Sequence, residues 1–216
     1  MQIDMRVLEL LSSKLCHDLV SPVSAINNGV ELIEDIGGSV VDEAMKLIGD
    51  SAGHASRRLR LYRVAYGRAG SEENLPLKDV RQIAAHYFLG GKVNLTWPED
   101  QPIPALAEQR GLLKTLLNLL VLSEEVLAYG GNVVLRAAPP PHEGGCCLEV
   151  AGRSAQLNPS FIAALENTVA VEDLTPRTIQ AYITGKFAAH FALKISYDQS
   201  VADRLLLILA PAAAAH

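Results

Sequence analysis

The sequence predicts an α+β protein. An N-terminal antiparallel helical hairpin, forming a four-helix bundle on dimerisation, precedes a C-terminal α/β sandwich. Three observations predict this. Apolar residues recur every three or four positions through the first third of the chain, the period of a helix with one apolar face. Glycine pairs interrupt that recurrence where a hairpin needs a turn. Beyond a polar stretch near residue 70 the texture changes to short strands alternating with helices.

The first helix is read from Leu8, Leu11, Leu15, Leu19, Val23, Ile26, Val30 and Ile33, and Gly37-Gly38 ends it. The second carries Ala44, Ile48, Ala52, Ala55, Leu59, Tyr62 and Tyr66, and Gly67 and Gly70 close it. A short connection between helices of similar length implies an antiparallel pair. Alone, such a pair exposes both apolar stripes, and a symmetric homodimer buries them as a four-helix bundle. The alternative is that the stripes pack on the rest of this chain.

Gly70 to Pro76 is polar and punctuated, the texture of a linker. The expected division is therefore 1–70 for the hairpin and 76–216 for the remainder. In the second part, Leu77–Leu89 suits a helix, Lys92–Trp97 a strand, and Glu108–Tyr129 a long leucine-rich helix. Asn132–Ala137 and Cys146–Ala151 read as strands joined by a loop with three consecutive prolines. Asn158 caps a helix reaching Asn167, and Thr175-Pro176 opens another through His190. Ala192–Ser196 and Arg204–Leu209 complete the strands.

Composition narrows the function. At 216 residues, 49% hydrophobic and 20% charged, the chain has enough apolar surface for a folded core. A net charge of −5 offers no general attraction for nucleic acid or an anionic membrane surface. The longest apolar run, Leu205 to Ala215, is too short to span a bilayer and is broken by Pro211. Three cysteines, two of them adjacent, make no disulfide framework. The N-terminus, with Asp4 and Arg6, lacks the layout of a signal peptide. The expectation is a cytoplasmic protein with no nucleic acid or membrane partner.

The informative string is Ser13-Lys14-Leu15-Cys16-His17-Asp18-Leu19-Val20-Ser21-Pro22-Val23. At about 100° per residue, His17 lies opposite the apolar stripe and points to solvent. Ser13 and Ser21, one turn before and after it, are small and leave room for another protein. Pro22 cannot donate to the Asp18 carbonyl, so a kink is expected one turn past His17.

His17-Asp18-Leu19-Val20-Ser21-Pro22-Val23 resembles the phosphoacceptor box of dimeric histidine kinases and their phosphotransfer relatives, with Val23 where the pattern ends in Leu. That resemblance implies a neutral imidazole attacking phosphorus through Nε2, with Nδ1–H held by a partner. Asp18 is the candidate partner or general base. Ser13, Lys14, Ser21 and Ser24 flank His17 and are candidate partner-binding residues, and Lys14 is placed to meet the transferring charge. Arg57, Arg58, Arg60, Arg63 and Arg68 read either as a solvated face or as a surface that steers an acidic partner.

The remainder of the chain resembles the ATP-binding domain of those kinases in degenerate form. Leu113, Leu116, Asn118, Leu119 and Leu120 follow the helix that bears their asparagine box, but Leu122 stands where a second Asn belongs. Ala151 stands where the family has its adenine-reading Asp, and Thr175-Pro176-Arg177-Thr178-Ile179 replaces a glycine-rich lid. The resemblance implies neither a bound nucleotide nor another cofactor, with Mg²⁺ belonging to the partner receiver.

A phosphoacceptor hairpin joined to such a remnant is similar, across essentially the whole chain, to the ChpT-type histidine phosphotransferases of alphaproteobacteria. Arg60-Leu61-Tyr62-Arg63-Val64-Ala65-Tyr66-Gly67 adds to that likeness. The implied activity is relay of phosphoryl from a hybrid-kinase receiver to response regulators. The implied partners are a CckA-like kinase and CtrA-like and CpdR-like regulators. Two other readings stay open, a working kinase with unusual nucleotide chemistry and a non-catalytic module that sequesters receivers. His142, Cys146 and Cys147 lack the paired spacing of a zinc site. His54, His86 and His190 have no acidic neighbour of the His17-Asp18 kind.

Overall fold

The structure, a computed structural model, describes residues 4–67 and 76–212. Helix α1 spans Met5–Asp35 and α2 spans Val41–Tyr66, joined through a 3₁₀ turn at Gly38–Val40. The Asp4 carboxylate accepts the N–H of Arg6 and caps α1. Gly37 and Gly38 sit at φ +61° and +52°, in the left-handed region where side chains are disfavoured, and the chain reverses there. The two helices approach closely at Gly29, where an added Cβ would come within 2.6 Å of the Ile48 side chain. Helix α1 continues across Pro22, which is buried, as one element. Arg68 and the expected linker, Pro76 excepted, lie outside the described residues.

Beyond the hairpin come α3 (Leu77–Phe88), β1 (Val93–Thr96), α4 (Ala105–Glu108), α5 (Leu112–Val126), β2 (Gly131–Ala137) and β3 (Cys146–Ala151). Then follow α6 (Pro159–Leu165), α7 (Ile179–His190), β4 (Leu193–Asp198) and β5 (Arg204–Pro211). The sheet has five strands in the order β1-β2-β3-β5-β4. Its β1–β2 pair is parallel and the others antiparallel. Parallel strands need a long crossover, and α4 and α5 supply it.

The long helix expected over Glu108–Tyr129 is interrupted. Gly111 takes φ +81°, and a Cβ there would fall 2.0 Å from the Phe191 ring, so helix α5 starts only at Leu112. The last helix starts at Ile179 rather than at Thr175-Pro176, because Thr178 Oγ1 accepts the Thr175 N–H in a turn just before it.

Helix α5 is apolar on nearly every side, and Leu112, Leu116, Leu117, Leu119, Leu120 and Leu122 are fully buried. Such a helix belongs in the centre of the molecule. It packs on α7 and α2 and touches β5 beneath. Alternate residues of the strands, among them Val133, Leu135, Leu148, Val150, Leu205 and Leu207, point into the same core. Arg6 fastens the start of α1 to this part of the chain by donating to the carbonyls of Val171 and Leu174. The result places the C-terminal end of α5 beside the middle of α1. No helix among the described residues is long and apolar enough to cross a membrane.

Candidate functional site

His17 stands on the outer face of α1 with its side chain 91% exposed. It lines a cleft of about 930 Å³ together with Ser13, Lys14, Asp18 and Glu125. Across the cleft lie Tyr129, Phe161 and Arg177, from three segments of the C-terminal part. A protein reaching His17 therefore meets that part as well as the hairpin. Ser21 and Ser24 are exposed on the His17 side of α1.

Asp18, next to His17 on the same helix, is largely enclosed, its side chain only 18% exposed. The reason is a set of polar groups that converge on it from α2 and from its own helix. Tyr62 of α2 donates its hydroxyl to Asp18 Oδ2 at 2.5 Å, and Lys14 donates its Nζ to the same oxygen at 3.2 Å. The Arg58 Nη1 lies 3.8 Å from it. The other oxygen, Oδ1, lies 3.9 Å from His17 Nδ1. That is ion-pair range and slightly beyond a direct hydrogen bond.

Arg58 is likewise not part of a solvated basic face, for its side chain is 15% exposed. Its Nη1 donates to the hydroxyls of Tyr62 and Tyr87 and its Nε to the His54 imidazole, while Nη2 donates to Glu124 Oε1 at 3.0 Å. Tyr87 in turn donates to Glu124 Oε2. Burial disfavours the Arg58 charge, but the surrounding Tyr87, Glu124 and Tyr62 oxygens outweigh it and hold the guanidinium charged. Arg60 and Arg63 do remain exposed.

Lys14, expected to be free for a partner, is largely enclosed and pairs with Glu125 at 2.7 Å and with Asp18. Burial works against its charge, and the two carboxylates overcome that and raise its pKa. Burial pushes Glu125 up to about 7 despite the opposing pull of Lys14. The Tyr62 phenol is pushed up to about 12 by burial, so it stays a proton donor through the physiological range.

Tyr62, Tyr87, Glu124 and Glu125 were not legible as site residues. Tyr62 belongs to the apolar stripe by spacing, and the two glutamates follow Leu122 with no marker of what they face. The one signal in the sequence was that two acidic residues end an otherwise apolar helix.

Asn118 is fully buried. Its amide donates to the carbonyls of Ala65 and Lys114, and its own oxygen accepts from Gln180. Leu122 is fully buried too. Cys146 and Cys147 are free and buried, and no group of metal-ligating side chains gathers among the described residues.

Residues 77–203 match the family described as the histidine phosphotransferase C-terminal domain. The chain is 32% identical over 195 residues to the protein phosphotransferase ChpT of Brucella abortus (strain 2308), covering 90% of each. The chain belongs to the ChpT-type histidine phosphotransferase family. A solved structure of a bacterial phosphotransferase at 1.7 Å superposes with a TM-score of 0.76 at 29% identity, over 97% of this chain and 98% of that one. The family's fold thus takes in the hairpin as well as the C-terminal part.

Proposed function

We propose that the chain is a homodimeric phosphorelay intermediate. His17 accepts phosphoryl from the aspartyl phosphate of a hybrid-kinase receiver and passes it to the receiver aspartate of a response regulator. The observation that carries this reading is the exposed His17 imidazole beside the cleft between α1 and the C-terminal part, with a carboxylate oxygen on its Nδ1 side and Nε2 left free.

In the accepting step the Nε2 lone pair attacks phosphorus, the bond to the aspartate oxygen breaks, and the receiver's carboxylate leaves. A phosphoramidate remains on His17. Asp18 Oδ1 favours the Nδ1–H tautomer that puts the lone pair on Nε2, and it stabilises the positive charge that grows on the ring during attack. Donation to the second receiver is the same step in reverse. Phosphoryl transfer depends mainly on positioning and charge, and a rigid helix supplies the first. The divalent metal such transfers use is expected on the receiver.

Residues 1–70 then serve as dimerisation and phosphotransfer domain and residues 76–216 as a docking domain of degenerate kinase ancestry. Two features support the absence of kinase chemistry. The Asn118 side chain is committed to tying α5 to α2, and Leu122 occupies a fully buried position. The dimer is supported by apolar side chains left uncovered on the hairpin, including Val23, Val30 and Leu59. Leu59 also lines a groove of about 400 Å³ between α1 and α2, with Ile26, Ala52 and Ala55 as its apolar side and Ser56, Arg60 and Arg63 as its polar side. A second hairpin is the apolar occupant that such a face fits. The family resemblance points to CckA-like, CtrA-like and CpdR-like partners.

The test is transfer of radiolabel from a phosphorylated receiver to the purified chain, beside incubation with labelled ATP alone. Acid-labile, base-stable label gained only from the receiver, and lost in His17→Ala, is the expected result. Label taken from ATP would make the chain a kinase, and no label from either source would leave a sequestering module. His17→Ala should fold normally, because surface substitutions usually stay within about 0.5 kcal/mol.

A further inference from the structure

Residues adjacent on a helix point about 100° apart and do not face each other. A carboxylate that directly follows a histidine therefore has no intrinsic reason to turn toward it, and on a free helix surface it would sample solvent. Here Asp18 is held. Its Oδ2 accepts from Tyr62 and Lys14, and its Oδ1 is the oxygen on the His17 side. The Tyr62 hydroxyl accepts from Arg58 and donates to Asp18, so its proton has one direction to point. Arg58 is fixed in turn by both oxygens of Glu124, directly and through Tyr87. Lys14 is fixed by Glu125. Two routes from the end of α5 thus meet at one carboxylate oxygen.

We propose that Tyr62 is a positioning residue for phosphoryl transfer. It pins Asp18 Oδ2 so that Oδ1 is presented to His17 Nδ1–H, and α5 holds the arrangement through Glu124 and Glu125. The proposal rests on the phosphoacceptor reading of His17. It assigns the C-terminal part a task beyond docking: that part sets the geometry of the acceptor on α1. Tyr62 does not line the cleft, so it acts on the reacting atoms only through Asp18.

The imidazole tautomer reports this directly. In the full-length ¹⁵N-labelled chain at pH 8, a long-range ¹H–¹⁵N correlation distinguishes Nδ1–H from Nε2–H, and the His17 signals are assigned by their loss in His17→Ala. The wild-type chain is expected to favour Nδ1–H. Tyr62→Phe, which keeps the ring and removes the hydroxyl, is expected to shift His17 toward Nε2–H.

With the receiver that labels the wild-type chain, Tyr62→Phe should slow transfer at saturating receiver by about tenfold or more. Its half-saturating concentration should not change. Glu124→Gln, which keeps the shape and weakens the hold on Arg58, should move both readouts in the same direction by less. It serves as the test if the Tyr62 variant does not fold.

Wild-type tautomer and rate in a folded Tyr62→Phe chain would overturn the proposal and leave the phosphotransfer reading intact. So would a variant that changes only the half-saturating concentration. A wild-type chain that accepts no phosphoryl would overturn both.

Discussion

Glu125 Oε1 lies 2.7 Å from Lys14 Nζ, across the boundary between the C-terminal part of the chain and the helix that carries His17. The contact sits one turn before the phosphoacceptor candidate, and its neighbour Glu124 makes a parallel contact with Arg58. An acidic pair at the end of an apolar helix thereby grips both helices of the hairpin.

Burial of Glu125 makes the stability of the fold sensitive to pH, because ionising the carboxylate costs more in desolvation than its pairing with Lys14 returns. With its pKa raised to about 7 in the folded chain, the folded state binds a proton that the unfolded state has already released. The associated stability is fully present below the ordinary carboxylate pKa and is lost as pH rises through 7. Glu125→Gln should match the wild type near pH 4 and exceed it at pH 8 by about 1–3 kcal/mol. Urea unfolding of both chains across that range measures the difference, and parallel curves would contradict the assignment.

Asp18→Asn should lower both transfer rate and stability. The amide cannot present the same acceptor to Nδ1–H, and it removes a negative charge that faces Lys14 and Arg58 in a half-buried site. A loss of about 1–3 kcal/mol is expected. Thermal melts and single-turnover transfer separate the two effects, and an unchanged rate would make Asp18 a structural residue only.

Asn118→Ala should destabilise without touching the cleft. It strips a buried donor from the Ala65 carbonyl, at about 1–3 kcal/mol, while the Gln180 amide keeps the backbone carbonyl of residue 118 and Thr184. Equilibrium unfolding measures the loss. Transfer by the fraction still folded should proceed at the wild-type rate.

Leu59→Glu should convert a dimer to a monomer. The side chain is 52% exposed in the single chain and borders the groove between α1 and α2. A carboxylate there would lose its water in a four-helix bundle and replace an apolar contact, which Arg60 and Arg63 at the groove offset only in part. Light scattering coupled to size exclusion reads the mass, and a wild-type chain of 23.2 kDa in solution would remove the basis for the dimer.

Much of this architecture was legible because it is local. The hairpin follows from the spacing of apolar residues and from Gly37-Gly38, and each strand reads from alternation within itself. His17 stands out because its box lies within a single stretch of α1, where helical geometry fixes which way the ring points. Asn158 is a cap by its position alone, and the structure has its side chain accepting the Phe161 N–H.

What the chain order does not reveal is what meets from afar. The parallel pairing of β1 with β2 depends on the α4–α5 crossover. The break before α5 depends on Phe191 packing against Gly111, eighty positions later in the chain. Asp18 illustrates the division best: its place after His17 made it a candidate partner by sequence, while its burial comes with Tyr62 and Arg58 from α2. A periodicity reports which face of one helix is apolar. Only the packing of three helices decides which polar groups are excluded from water together, and with them the orientation of the carboxylate beside His17.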